Sequence, residues 1–397
     1  MDNVRSRGIT GKIKTSLLYF YLFLAMFLPF YSYTTNINNV TFILPNVVIC
    51  VLIVWDVISN HGKLRTGGAS KPYVTALIIL FFVSVYCNFR YNGSYWVTIN
   101  RSITLIFIII LLQTERKNYS TIINGTINIM CLAVLFSLVL RFVYNIDCLY
   151  LQNNHISLRT VGGSFYDNRL TYVFIHKSGY GLVLLMLFLL ILWNPGIKYQ
   201  KIKLGIVAIT IVVTNSATSI AALFICVIEY FATRKEPSRN RMIVKLILEI
   251  SCIIIAYLAY NYLIDVRDVS SGGGRFYIWS AGIDTLKQYP QGIGDEFYTR
   301  QFVANGRLYN NFHNVFINEM VHYSIIEGVL FTVVSCLPFI RSIRKYKNKS
   351  NLIWGFISIL LILSMDNALH DSFYTLFMFL ACLIFGFTQE LKMQEAA

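Results

Sequence analysis

SLLYFYLFLAMFLPFYSY, residues 16–33, runs for eighteen positions without a charge. An α-helix needs roughly 20 apolar residues to cross a hydrocarbon core, so this run has both the purity and the length of a bilayer span. ALIILFFVSVYC (76–87) and VLLMLFLLILW (183–193) share the purity. Hydrophobic residues make up 56% of the 397, and charged residues 13%. Soluble domains carry about 25% charged residues, so half of the usual charge is missing. The chain reads as an all-α polytopic integral membrane protein, with a single membrane domain over 1–397.

About twelve spans are expected, with apolar cores near 15–36, 40–58, 73–89, 102–114, 122–144, 177–193, 203–215, 217–233, 244–264, 324–340, 352–368 and 372–388. The net charge of +15 is read against this topology. With the N-terminus in the cytoplasm, twenty-three of the thirty-four Lys and Arg fall on the cytoplasmic side, as the positive-inside rule requires. The basic balance therefore reports orientation and calls for no nucleic-acid partner. Both termini are expected in the cytoplasm. The first span follows a basic segment and lacks a small-residue cleavage site, which makes it a retained helix. The eight cysteines mostly fall inside spans and show no CxxC or ligand spacing, so neither a disulfide framework nor a zinc site is indicated.

Most loops are short. Two outer ones, about 145–176 and 265–323, are long, and loops of that length on a rigid scaffold tend to carry function. They are expected to contain short amphipathic helices. In the second, RFYIWSAGIDTLKQYP (275–290) reads as such a helix ended by Pro290, with Phe276, Trp279 and Ile283 on one face suited to a membrane interface. NNFHNVFINEMVHYSII (310–326) is expected to begin a second helix that leads into the tenth span.

Eleven cations remain on the outer side or at span ends: Arg90, Arg101, Arg141, Arg159, Arg169, Lys177, Arg267, Arg275, Lys287, Arg300 and Arg307. Each alone reads as a solvated loop charge, but the group stands on the side that the positive-inside rule leaves poor in cations. Arg275 follows a glycine run at a helix start, where N–H groups favour anions and a guanidinium fork suits phosphate oxygens. Arg159, Arg169, Lys177, Arg300 and Arg307 are candidates for the same anion. His313 is suited to take a proton from an alcohol near neutral pH, and Asn311 and Asn314 could orient it or bind sugar hydroxyls. Asp366, in LILSMDNALHDSF (361–373), is expected at the outer end of the eleventh span, where a carboxylate is costly unless paired or functional. It could hold the His313 tautomer or clamp an Arg. His322, His370 and Asp371 are weaker candidates. The sequence contains no GxxxxGK[ST], no HExxH and no DxD-like pair in an outer loop. The reaction is therefore expected to use no metal or cofactor, and a pyrophosphate leaving group held by cations would suit that.

The ordered set GGGRFYIWSAG, PQGIG, HNVFINEM and EGVL, with RTVGGSFYDNRLTYVFIHKSGYGLVLL upstream, resembles the O-antigen ligases and the related Wzy-type O-antigen and capsule polymerases. The resemblance implies a GT-C-like membrane glycosyltransferase of the bacterial inner membrane, with its active loops periplasmic or extracellular. The implied donor is an undecaprenyl-pyrophosphate-linked glycan and the acceptor a glycan or lipid A core, with membrane lipids and a chain-length regulator as partners. Arg275 would match the pyrophosphate-contacting Arg of the family, His313 its catalytic-loop His, and Asp366 its late-span acid. In TNSATSIAAL (214–223), Ala217 stands where the ligases have an Arg, which favours a repeat-unit polymerase over a ligase. A transporter or flippase for a lipid-linked substrate is the alternative of another class. It would need polar residues within several spans, and only Asn46, Asn128 and Glu249 were expected there.

Overall fold

The computed structural model describes residues 2–29, 40–59, 71–90, 95–111, 119–152, 155–162, 169–174, 176–194, 196–233, 274–294, 296–345, 350–369 and 373–384. The expected ninth span near 244–264, Glu249, Arg267, His370 and Asp371 lie outside these residues. Helices dominate. α1 (Asp2–Phe27), α2 (Val40–Ser59), α3 (Lys71–Arg90), α4 (Tyr95–Leu111) and α5 (Tyr119–Phe142) lead to a hairpin of β1 (Ile146–Gln152) and β2 (His155–Thr160). α6 (Lys177–Leu192), α7 (Gln200–Val213) and α8 (Ala217–Thr233) follow. Then come α9 (Arg275–Gln288), α10 (Glu296–Thr299), a second hairpin of β3 (Phe302–Ala304) and β4 (Arg307–Tyr309), α11 (Val315–His322), α12 (Ile325–Lys345), α13 (Ser350–Met365) and α14 (Tyr374–Cys382).

Burial orders this bundle from the centre outward. Every residue of α6 from Ser178 to Ile191 is buried, and so is every residue of α14. A helix apolar on all sides has no solvent face and belongs at the centre. Around these two, Val54, Phe82, Leu132 and Phe224 stand exposed on α2, α3, α5 and α8. The segment Ser120–Phe142 is long and apolar enough to cross a bilayer, and seven further apolar helical stretches of 10–17 residues occur among the described residues.

Three departures from the sequence expectation have local causes. In the first large loop the described residues form a hairpin, not an amphipathic helix. β1 and β2 pair antiparallel from Gln152↔His155 back to Ile146↔Thr160, and both runs carry β-branched or aromatic residues that suit extended backbone. The helix expected to begin within 310–326 and lead into the tenth span is separated from it by a break, as α11 and α12. Ser324 Oγ accepts the Glu327 N–H at 3.0 Å, and the S-x-x-E spacing starts α12 afresh. Finally, Arg101 is not a solvated charge. It is buried, donating to Glu327 at 2.8 Å and to both oxygens of Glu319 at 2.8 and 2.9 Å, with its guanidinium 4.0 Å above the Tyr323 ring. This ion cluster ties α4 to α11 and α12.

The described residues from α9 to α11 build their own small core from Ile278, Leu286, Phe297, Phe302, Phe312 and Val321. Ile278 and Leu286 lie on the buried face of α9, while Phe276 and Ile283 of the expected interfacial face are exposed at 55% and 48%. The QGIG turn is laced to the end of α11 by Ile293 N–H to Val321 O and Gly294 N–H to His322 O, both at 2.9 Å. Gly292 makes that possible. Its φ is +83°, and a Cβ there would lie 2.6 Å from the Tyr323 carbonyl carbon.

Candidate functional site

Four chain segments meet at the end of α13. α13 stops at Met365, and Asp366 follows, nearly out of solvent at 5% exposure. The start of α6 closes on it from one side. Gly179 allows this approach, because a Cβ there would lie 2.9 Å from the Phe373 ring and 3.1 Å from Ala368 O. Ser178 Oγ donates to Asp366 Oδ2 at 2.6 Å, and His176, the N-cap of α6, places Nδ1 2.8 Å from the same hydroxyl.

His313 arrives from the loop ahead of α11. Its Nδ1 lies 3.5 Å from Asp366 Oδ1, within ion-pair range but too long for a formed hydrogen bond, and Nδ1 is buried without a hydrogen-bond partner. Its backbone is left-handed at φ 47°, a conformation uncommon outside glycine that costs on the order of 1 kcal/mol. Asn311 Oδ1 holds the turn by accepting the His313 N–H at 2.9 Å. Asn318 completes the support, accepting from Phe312 N–H at 2.9 Å and donating to Asn367 Oδ1 at 3.0 Å. Such strain, supported from several sides, is characteristic of functional positions.

Arg275 comes from the first residue of α9, which starts after Gly274 without a side-chain cap. Its Nε donates to Met365 O at 2.6 Å. This bond fixes the plane of the guanidinium next to Asp366.

The charges are consistent with an ionised Asp366. Burial alone would raise its carboxyl pKa, but His313, His176, the Ser178 hydrogen bond and Arg275 outweigh burial and bring it down to about 2. Burial is the main force holding His176 below the ordinary histidine value. Asp366 pulls it up, and His313, Lys177 and Arg169 push it further down. His176 therefore favours its neutral form at neutral pH.

The other candidates divide. Arg169 and Lys177 act on His176 through their charge. Lys177 Nζ donates to Asn215 O at 2.6 Å, at the turn before α8. Arg159 braces the first loop by donating to Arg169 O at 3.1 Å and to Thr171 Oγ1 at 3.4 Å. Arg300 pairs with Glu296 at 3.8 Å and lies over the Tyr289 ring. Arg307 is exposed on β4, two residues before Tyr309, whose ring meets that of His313 edge-on at 6.5 Å. Asn314 is chiefly a helix cap, its side-chain oxygen accepting from Phe316 and Ile317 N–H at 3.0 and 3.1 Å. Any hydroxyl contact from it would fall to the amide nitrogen. His322 is buried, stacked between Phe297 and Tyr323.

Sequence reasoning missed His176 and Ser178. The signal was a polar H-x-S at the head of an otherwise apolar run, but histidine is not among the preferred N-cap residues.

Fold and site together define a helical bundle that carries an arginine, a histidine and an ionised carboxylate at one end, fed by two large loops. Residues 202–323 match the family model described as O-antigen ligase. The segment includes Arg275 and His313, so the resemblance read from the ordered motifs stands on an independent match. No curated protein matches the chain.

Proposed function

We propose that the protein is a multi-pass membrane glycosyltransferase of about twelve spans that works on the outer face of the inner membrane. It moves a glycan from an undecaprenyl-pyrophosphate carrier to a sugar hydroxyl without a metal ion. The observation that carries this reading is the sharing of one short segment, Met365–Asp366, by Arg275 and His313. In the proposed reaction Asp366 faces Nδ1 of His313 and leaves Nε2 to take the proton of the acceptor hydroxyl. The acceptor oxygen bonds to the anomeric carbon as the bond to the carrier diphosphate breaks. Arg275, with Arg169 and Lys177 nearby, stabilises the charge gathering on the departing diphosphate. The exposed apolar side chains around the bundle, Val54, Phe82 and Leu132 among them, suit a lipid solvent. Phe276 and Ile283 would then rest α9 on the headgroup region.

Repeat-unit polymerisation is the favoured form because Ala217 stands where the ligases have an Arg. The bond from Lys177 to Asn215 sets a cation at that same turn, which supports Lys177 as the replacement. The ligase remains the second reading, since the matching family model is described as O-antigen ligase. The glycan ladder of a deletion strain separates the readings. Core bearing one repeat unit means a lost polymerase, and bare core with carrier-linked glycan accumulating means a lost ligase. Disappearance of carrier-linked glycan from the outer leaflet would mean a transporter and would refute the enzyme.

A further inference from the structure

Both oxygens of Asp366 are engaged, one toward each of two histidines. Ser178 Oγ lies 2.6 Å from Oδ2. An ionised carboxylate only accepts hydrogen bonds, so the hydroxyl proton points at Asp366. What Ser178 offers His176, at 2.8 Å, is then a lone pair, and Nδ1 must be the protonated ring nitrogen. Each tautomer leaves one mismatch: a bare Nδ1 accepts from Ser178 N–H at 3.3 Å but sets two lone pairs against each other at 2.8 Å, whereas a protonated Nδ1 gives up the longer cap bond and keeps the shorter one, which is the better exchange.

We infer that His176 and Ser178 form a positioning arm of the proposed transfer site: His176 Nδ1–H donates to Ser178, Ser178 to Asp366, and the arm holds the carboxylate with its other oxygen toward His313. The inference rests on the glycosyl-transfer reading and goes beyond it, because neither residue is needed to bind donor or to accept the hydroxyl proton. Arg275 faces the same carboxylate from α9 and Lys177 and Arg169 flank His176. A carboxylate freed from Ser178 could swing from His313 toward one of these cations.

The test uses the full-length protein in lipid nanodiscs with a lipid-pyrophosphate-linked glycan as donor. His176→Ala and Ser178→Ala should each lower kcat by about tenfold, the scale of losing an outer partner of a working histidine, with donor KM unchanged. His176→Asn, whose amide N–H can replace Nδ1–H, should recover most of that loss. The double alanine variant should be no worse than Ser178→Ala, because the two act in series. Wild-type kcat in the alanine variants, multiplicative losses in the double, or His176→Asn as slow as His176→Ala would each overturn the arm. Nitrogen-15 NMR of the histidine rings gives a readout that does not depend on turnover. It should show His176 with Nδ1 protonated, and that signature should be lost in Ser178→Ala. An unprotonated Nδ1 in the wild-type protein overturns the inference even if transfer is normal. Full activity in His313→Ala and Asp366→Asn would instead refute the roles given to those two residues, and no glycan transfer by the wild-type protein under these conditions would refute the glycosyl-transfer reading itself.

Discussion

His313 Nδ1 stands 3.5 Å from Asp366 Oδ1, although the two residues are more than fifty positions apart and come from different helices' ends. Neither position is incidental. His313 is held in a left-handed backbone conformation by Asn311, and Asp366 is buried and ionised.

Replacing Asp366 with Asn removes the charge and offers an N–H where His313 needs an acceptor. The imidazole would turn over to its other tautomer, and the nitrogen left for substrate would carry a proton. Turnover should fall by roughly 10²–10⁴, the range for loss of general-base function, with little change in donor affinity. Steady-state transfer kinetics and donor binding, measured separately, check this.

Arg275→Lys keeps the charge but loses the Nε–H to Met365 O and the planar fork. Hydrogen bonds to charged groups are worth about 1.5–3 kcal/mol, so kcat/KM for the lipid-pyrophosphate donor should drop by roughly 10- to 100-fold. A variant indistinguishable from wild type would show that forked geometry is not needed.

Stability should fall on mild acidification. The folded His176 has a pKa below its ordinary value of 6.5, so below that pH the unfolded chain takes up a proton that the folded one refuses, and folding weakens. Above it the residue is neutral in both states and contributes nothing. The thermal midpoint in detergent should therefore decline as pH drops from about 6.5, and His176→Asn should flatten that decline. Asp366 acts at lower pH. Ionised in the folded state down to about 2 against an ordinary 3.8, it stabilises above the higher value, and that contribution is lost between the two.

Gly292→Ala should loosen the loop subdomain without dissolving the bundle. The substituted Cβ would meet Tyr323 backbone at 2.6–2.7 Å in a φ that L-residues avoid. The cost is about 1–3 kcal/mol. Limited proteolysis should show faster cleavage within 289–311, while the melting of the helical bundle changes little.

The helical class was legible because apolar runs such as 183–193 admit few other readings, and α6 and α8 begin at the residues the hydropathy marked. Arg275, His313 and Asp366 could be singled out because a polar residue in a greasy chain is conspicuous. Other features depend on partners distant in sequence. Nothing near Arg101 signals Glu319 and Glu327, so it passed for a solvated charge. Asn314 looked like a sugar ligand, but its oxygen caps α11. His176 and Ser178 acquire meaning only when Asp366 arrives, 188 residues after Ser178. The α11–α12 break was written in Ser324 and Glu327, although the apolar residues around them drew the helix through it.

The most direct measurement compares His313→Ala with wild type in nanodiscs supplied with a lipid-pyrophosphate-linked glycan, recording donor binding and single-turnover transfer side by side. The proposed chemistry predicts donor affinity within a few-fold of wild type and transfer slowed by about 10²–10⁴. Transfer at the wild-type rate, or loss of donor binding as the sole defect, would contradict it.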